Sequence, residues 1–272
     1  MDYIKSFGAL PQTKDIRDYV ASCAVPREFP ESFELEMPEV KNQGMTSTCV
    51  AHSIATTIEY HNKKQQENDD KFSIDFIYGN RRNTTYKGNG MYVREALLNY
   101  VNFGDVVEDM LPGAHDVPKA IDIFEEKYES LKEVALPNRA TQFFALNSDD
   151  ARKAALMDCG PIVFSIKWFS DYQLKDDVLV RTNLKNYQGG CHCMVIYGWN
   201  ERGWKVQNSW GSGYASDGRF ILPFGTVFDT CYGVTDDIVN VKDIEIEKPC
   251  SKLPKFIVKL INFILNLFAK KK

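Results

Sequence analysis

Histidine is scarce in this 272-residue sequence, with four copies, so chemistry that needs a proton carrier near neutral pH has few places to find one. Cysteine is odd in number, at seven, which leaves at least one thiol unpaired in any redox state. Cys191 and Cys193 form a Cys-x-Cys with no second CxxC-type pair. That spacing is weak for zinc, and neither a metal nor a cofactor is expected. An excess of basic charge is missing too. The net charge is −4, which gives no basis for nucleic-acid binding. The first residues, Met1-Asp2-Tyr3-Ile4-Lys5, hold no apolar run, so no cleavable secretory signal is expected and reduced cysteines are the default. No internal repeat is visible. What remains is ordinary globular composition, 44% hydrophobic and 26% charged, with room for one large domain or two smaller ones.

Residues 1–38 carry Pro11, Pro26, Pro30 and Pro38 among charged residues and read as an extended arm with little core of its own. After a loop at 41–48, Val50, Ile54 and Ile58 recur every fourth residue beside Ala51 and Ala55, the stripe of a buried helix. Residues 59–71 read as a solvated helix end and loop. Phe72–Tyr78 is a short apolar run, Gly88-Asn89-Gly90 a turn, and Met91–Tyr100 has helical spacing. Beyond Pro137 the pattern turns to strands: 143–146, 162–166, 191–199, 204–208 and 219–222. A short helix begins after Ser148, with Asp149 and Asp150 in its first turn. A helical half followed by a sheet half implies an α+β fold.

Two stretches carry chemistry. Ser47 or Thr48 stands where an N-cap is wanted, so Cys49 falls in the first helical turn, where unpaired N–H groups and the helix dipole favour thiolate. Gln43 can bring an amide donor to the same sulfur. A lone cysteine on an apolar helix is more often a small buried hydrophobe, so a proton acceptor must be found elsewhere. His52 shares the helix and reads as surface or partly buried; His61 and His115 read as solvated. His192 differs. In Gly189-Gly190-Cys191-His192-Cys193 the two-residue period puts both cysteines on one face and His192 on the other. Asn208, at the end of the next strand, can fix the imidazole tautomer, and Trp210 can shield that bond from water.

In order and separation, Gln43, Cys49, His192 and Asn208 resemble the papain-like cysteine peptidases, an arrangement the motif Asn42-Gln43-Gly44, the Gly160-Pro161 strand and Asn208-Ser209-Trp210-Gly211 extend over roughly residues 38–240. The resemblance implies two lobes, helical at about 39–125 and antiparallel β-barrel-like at about 126–248, with a cleft between them. It implies peptide-bond hydrolysis with Cys49 as nucleophile, His192 as acid and base, Asn208 orienting it, and Gln43 in the oxyanion hole. A polypeptide is then the substrate, and a monomer is expected. Gly90 would line the substrate groove through its backbone, and Asp236 or Asp237 would reach the floor of a specificity pocket and favour a basic side chain. Val50, Thr46, Tyr214-Ala215 and Arg219 depart from the family pattern; the missing cysteine at Thr46 agrees with a reducing compartment. The short arm resembles the compact bacterial and viral branch, in which it would lie across the cleft.

The tail, 249–272, is different again. Lys255, Lys259, Asn262 and Asn266 fall on one narrow helical stripe, and the rest of Phe256–Ala269 is apolar. As helix this stretch spans about 21 Å, short of the ~30 Å hydrocarbon core. An amphipathic helix in a membrane interface is expected, with the terminal lysines toward anionic headgroups, on an intracellular, cytoplasmic-side or virion membrane. Rival readings are a zinc site at the cysteines, a catalytically silent module tethered to a membrane, and acyl transfer to an amine.

Overall fold

The computed structural model describes all residues except 1–6, 13, 16, 24–26, 84–87, 184–189, 237–243 and 248–272; the tail and Asp237 lie outside the described residues. The helical half is built on α1 (Cys49–Gln66), buried without a break from Cys49 to Asn62. α2 (Ile74–Gly79) starts where the Ser73 hydroxyl accepts the Phe76 N–H at 3.1 Å, and α3 (Val93–Phe103) follows the 88–90 turn. The expected solvated stretch after residue 59 is corrected. Glu59 is buried because Lys41 Nζ pairs with it at 2.6 Å and the Phe72 N–H donates to it at 2.9 Å. His61 is buried as well, and the helix stops only at Glu67, whose φ of 56° is left-handed. α4 (Lys119–Ala135) buries Ala120, Phe124, Leu131 and Ala135 against α2, where Phe76 and Phe124 meet edge to face at 5.1 Å. α4 carries the helical half as far as Ala135.

The sheet half contains β3 (Gln142–Leu146), β4 (Ile162–Trp168), β5 (Tyr172–Lys175), β6 (Val178–Arg181), β7 (Gly190–Asn200), β8 (Gly203–Gln207), β9 (Arg219–Leu222) and β10 (Thr230–Thr235). α5 (Asp149–Asp158) is capped by Ser148, which accepts from the Ala151 N–H. The arm also joins the sheet. β1 (Val20–Cys23) pairs with β3 and with β11 (Ile244–Glu247), and β2 (Phe33–Glu34) pairs with β7. Phe33 stacks on Trp199 at 5.1 Å, so this part of the arm has a core after all. Strand order is β11-β1-β3-β10-β4-β7-β8-β9-β6-β5. Pairing is antiparallel apart from β1 with β3 and β6 with β9. The expected barrel-like closure is not found. Among the described strands the sheet is open, because β1 and β11 lengthen one edge and the β5–β6 hairpin the other.

One apolar cluster lies between α5 and the sheet, and a second joins α1 to β7 and β10 through Val50, Ile54, Cys191, Cys193 and Tyr232. Along β4 and β7 the register sets Ile166 opposite His192 and Ser165 opposite Cys193.

Burial sets a pH limit on this fold. His52 and His61 are each lowered to about 4, chiefly by burial, against roughly 6.5 in an unfolded chain. Between these values the unfolded chain binds protons that the folded one refuses, so stability falls as pH drops through that window. Denaturant unfolding is expected to show a lower unfolding free energy at pH 5 than at pH 7, and a flatter pH dependence in His61→Gln.

Candidate active site

The loop before α1 is drawn onto the sheet half by its backbone. Gln43 N–H donates to Ser209 carbonyl at 2.8 Å, and Gly211 N–H to Lys41 carbonyl at 2.9 Å. The Gln43 side chain is buried between the halves. Its Oε1 accepts from Ser209 Oγ at 2.7 Å and its Nε2 donates to Thr46 carbonyl at 2.8 Å; an amide nitrogen carries two protons, so that bond uses one. Thr48 takes the N-cap position without capping through its side chain, because its hydroxyl pairs with that of Thr46 at 2.6 Å. Cys49 follows as the first residue of α1, fully buried.

His192 sits on β7 with its Nε2 2.7 Å from Asn208 Oδ1. Asn208 is one residue past β8, and the same oxygen accepts the Ser209 N–H at 2.8 Å. Trp210 stacks on the imidazole, with centroids 4.5 Å apart and planes at 20°, as the shielding role requires. Trp168 meets the ring edge-on at 5.4 Å. Cys193, next in chain to His192, packs in the same apolar cluster as Cys49, and its backbone N–H is among the groups that favour a Cys49 anion. The other histidines stand apart. His52 is buried rather than on the surface, its Nδ1 3.0 Å from Thr48 carbonyl. His115 is paired with the buried Asp75 instead of solvated.

The groove over Cys49 is filled by the arm. Met91 N–H donates to Gly8 carbonyl at 2.7 Å, Leu10 N–H to Met91 carbonyl at 2.8 Å, and Ala9 N–H to Cys191 carbonyl at 3.1 Å. The backbone N–H groups of Gly8 and Ala9 also act on the Cys49 sulfur. Gly8 is the residue that fits there, since a Cβ would run into the Ser47 carbonyl. Gly90 lies against the arm, where a Cβ on it would stand 2.7 Å from Leu10 Cδ2, while Met91 supplies the bonds. Asp236 lies beyond β10, with its carbonyl accepting from Thr141 Oγ1 at 2.7 Å. The β10 residues that share the cluster of Cys49 and Ala9 are Tyr232 and Val234. Phe7, Gly8, Ala9 and Met91 escape sequence reasoning because an extended peptide seated in a distant groove has no periodicity of its own.

Burial pushes the Cys49 thiol up to about 11, against the opposing pull of the N–H groups of Cys193, Gly8, Val50 and Ala9. The expected thiolate at the helix N-terminus is therefore overruled in this state: desolvation outweighs the donors. Among the described residues no group of three or more His, Cys, Asp or Glu is arranged to hold a metal ion, and no helix is long and apolar enough to cross a membrane.

Residues 26–232 match the family model described as papain family cysteine protease. The chain belongs to that family. Papain-family relatives agree with it in sequence and fold. An uncharacterised peptidase C1-like protein of Acanthamoeba polyphaga mimivirus is 26% identical over 232 residues, 73% of this chain and 71% of that one. Xylellain, a cysteine protease from Xylella fastidiosa, superposes with a TM-score of 0.74 at 20% identity over 85% of this chain and 96% of its own. Digestive procathepsin L 3 of Tenebrio molitor larval midgut gives 0.62 at 16% identity, covering 81% and 76%. These structures share the fold of this papain-family chain.

Alkylation of Cys49 by iodoacetamide, followed by peptide mass spectrometry, is expected to be slow at pH 7 and to accelerate as pH rises toward about 11. Deleting residues 1–12 should raise the rate at pH 7 by at least roughly tenfold, since each unit of pKa changes the thiolate fraction about tenfold.

Proposed function

We propose that this papain-family cysteine protease is a monomeric endopeptidase, active once residues 7–12 leave the groove, that cuts polypeptides through a thioacyl intermediate on Cys49. The observation that carries the reading is the pinned imidazole. His192 is fixed by Asn208 and Trp210, while the N–H of the next residue meets the Cys49 sulfur. When the arm departs, water returns to the sulfur and the burial cost falls, while the helix N-terminus and the Val50 and Cys193 N–H groups stay. The balance then tips to thiolate beside imidazolium.

The thiolate attacks the substrate carbonyl, and the electron pair of the C=O moves onto oxygen. That oxyanion is received by the Cys49 N–H and the Gln43 amide, which Ser209 and Thr46 hold in place. Collapse breaks the C–N bond, and His192 gives its proton to the departing amine. Neutral His192 then takes a proton from water, hydroxide attacks the thioester carbon, and the Cys49 sulfur leaves. Asn208 keeps the ring in the productive tautomer throughout. Outside the described residues, the tail is proposed to hold the enzyme at an anionic membrane surface through its apolar face and Lys270-Lys271-Lys272.

Cys49→Ala and His192→Ala are each expected to reduce cleavage of a peptide library to background while leaving the circular dichroism spectrum intact, and Gln43→Ala to lower kcat by about 10²–10³. Cleavage by Cys49→Ala at the wild-type rate sinks the nucleophile assignment. Deleting 253–272 should abolish sedimentation with phosphatidylserine vesicles without lowering hydrolysis of a soluble peptide; a truncated chain that still sediments refutes the membrane role of the tail.

A further inference from the structure

A buried tyrosine hydroxyl joins two loops that the mechanism uses separately. Tyr78, near the end of α2, is fully buried, and Arg81 beside it is 4% exposed. The Tyr78 hydroxyl donates to the Asn89 carbonyl at 2.5 Å and accepts from Arg81 Nη1 at 3.0 Å. Burial pushes the phenol up, so the proton it donates stays on oxygen. Arg81 Nη2 donates to the Gly88 carbonyl at 2.5 Å, and the guanidinium lies 5.0 Å from the centre of the Tyr78 ring. The same hydroxyl stands 3.4 Å from Asp116 Oδ1, which accepts the Ser47 N–H at 2.9 Å. Ser47, Tyr78, the 88–90 turn and Asp116 thus meet at one point from four separate stretches of chain.

The two loops joined in this way border the groove together. Ser47 leads through Thr48 into Cys49, and its carbonyl oxygen would stand 1.8 Å from a Cβ on Gly8. Met91, just past the turn, donates to the Gly8 carbonyl and accepts the Leu10 N–H. A peptide lying where the arm lies is held by Met91 at a distance from Cys49 that depends on the spacing of these loops. We propose that Tyr78 and Asp116 are positioning residues for substrate: they fix the Met91 backbone relative to Cys49, so that a peptide bonded to Met91 presents its carbonyl carbon to the sulfur. The assignment rests on the peptidase reading. Each side chain acts through a backbone, Asp116 through Ser47 and Tyr78 through Asn89. Phenylalanine at position 78 keeps the ring and removes only the hydroxyl, which cuts the link between the turn and Asp116.

The test uses full-length Gly8→Leu, in which the clash with Ser47 keeps the arm out of the groove, with and without a second substitution. Adding Tyr78→Phe is expected to raise KM for an extended peptide about fivefold, the worth of one hydrogen bond, with kcat little changed. Alkylation of Cys49 by iodoacetamide should keep its rate, because that reagent takes no hold on Met91. Asp116→Ala should raise KM as Tyr78→Phe does, and both together no further than either alone, since they break one link. An unchanged KM, or effects that multiply, overturns the proposal. A joint fall in kcat and alkylation overturns it as well, because general loosening of the fold has that signature. If no peptide is cut, the link is judged by hydrogen exchange in the otherwise native chain, and a Cys49 that an epoxide probe also fails to label ends the peptidase reading. Faster exchange of the Ser47 and Met91 amides in Tyr78→Phe, with β8 amides unaltered, supports the link; unaltered exchange at either overturns it.

Discussion

Everything in this protein depends on the packing of strand β7 against helix α1. An 11-residue strand buried on both faces delivers Cys191 and Cys193 to the helix and His192 to the opposite side, and the two-residue period lets one short stretch do both. Cys193 packs with Cys49 in one cluster, so the contact that joins the halves also fixes where β7 carries His192 relative to α1. A one-residue slip of β7 would exchange the faces and bury the imidazole against α1. The register is held on one side by seven pairings with β4 and on the other by β8, which places Asn208 at the right height to receive His192.

A thiol at that junction is subject to two opposed influences. Four backbone N–H groups favour the anion, and full burial opposes it more strongly. Two of the four belong to the arm itself. The arm therefore contributes donors to the sulfur while removing its water, and the second effect wins.

Much of the site is legible in the sequence because its members carry strong local signals. Cys49 follows cap residues ahead of an apolar stripe, His192 alternates with two cysteines after two glycines, and Asn208 closes the neighbouring strand. Ser148 and the acidic first turn of α5 announce that helix as well. The misreadings share one physical cause, which is tertiary context acting on polar residues. Residues 59–62 look solvated because Glu59, His61 and Asn62 are polar, yet Lys41 and the Phe72 N–H satisfy Glu59 inside the fold. His115 looks free until Asp75, 40 residues away, is brought to it. The openness of the sheet depends on β1 and β11, short edge strands separated by most of the chain, and no local pattern reports such a pairing.

The arm is attached in two chemically distinct ways, and the difference decides which part can leave. Residues 7–12 are held by backbone bonds to Met91 and Cys191, by the Phe7 ring, and by Gln12, which bonds Tyr232 and the Arg94 N–H. Apart from the Gln12 N–H bond to the Asp229 carboxylate at 3.3 Å, each of these is a neutral contact that another peptide could replace with one of its own kind. Asp18 is anchored differently. Its carboxylate is buried, accepts from Arg94 Nε at 2.6 Å and from Tyr232 hydroxyl at 3.0 Å, and leads straight into β1. Breaking one partner from a buried ion pair leaves a charge without compensation, commonly at a cost of about 3–5 kcal/mol. Were residues 7–12 to leave the groove, the Asp18 anchor would hold the part of the arm that completes the sheet in place.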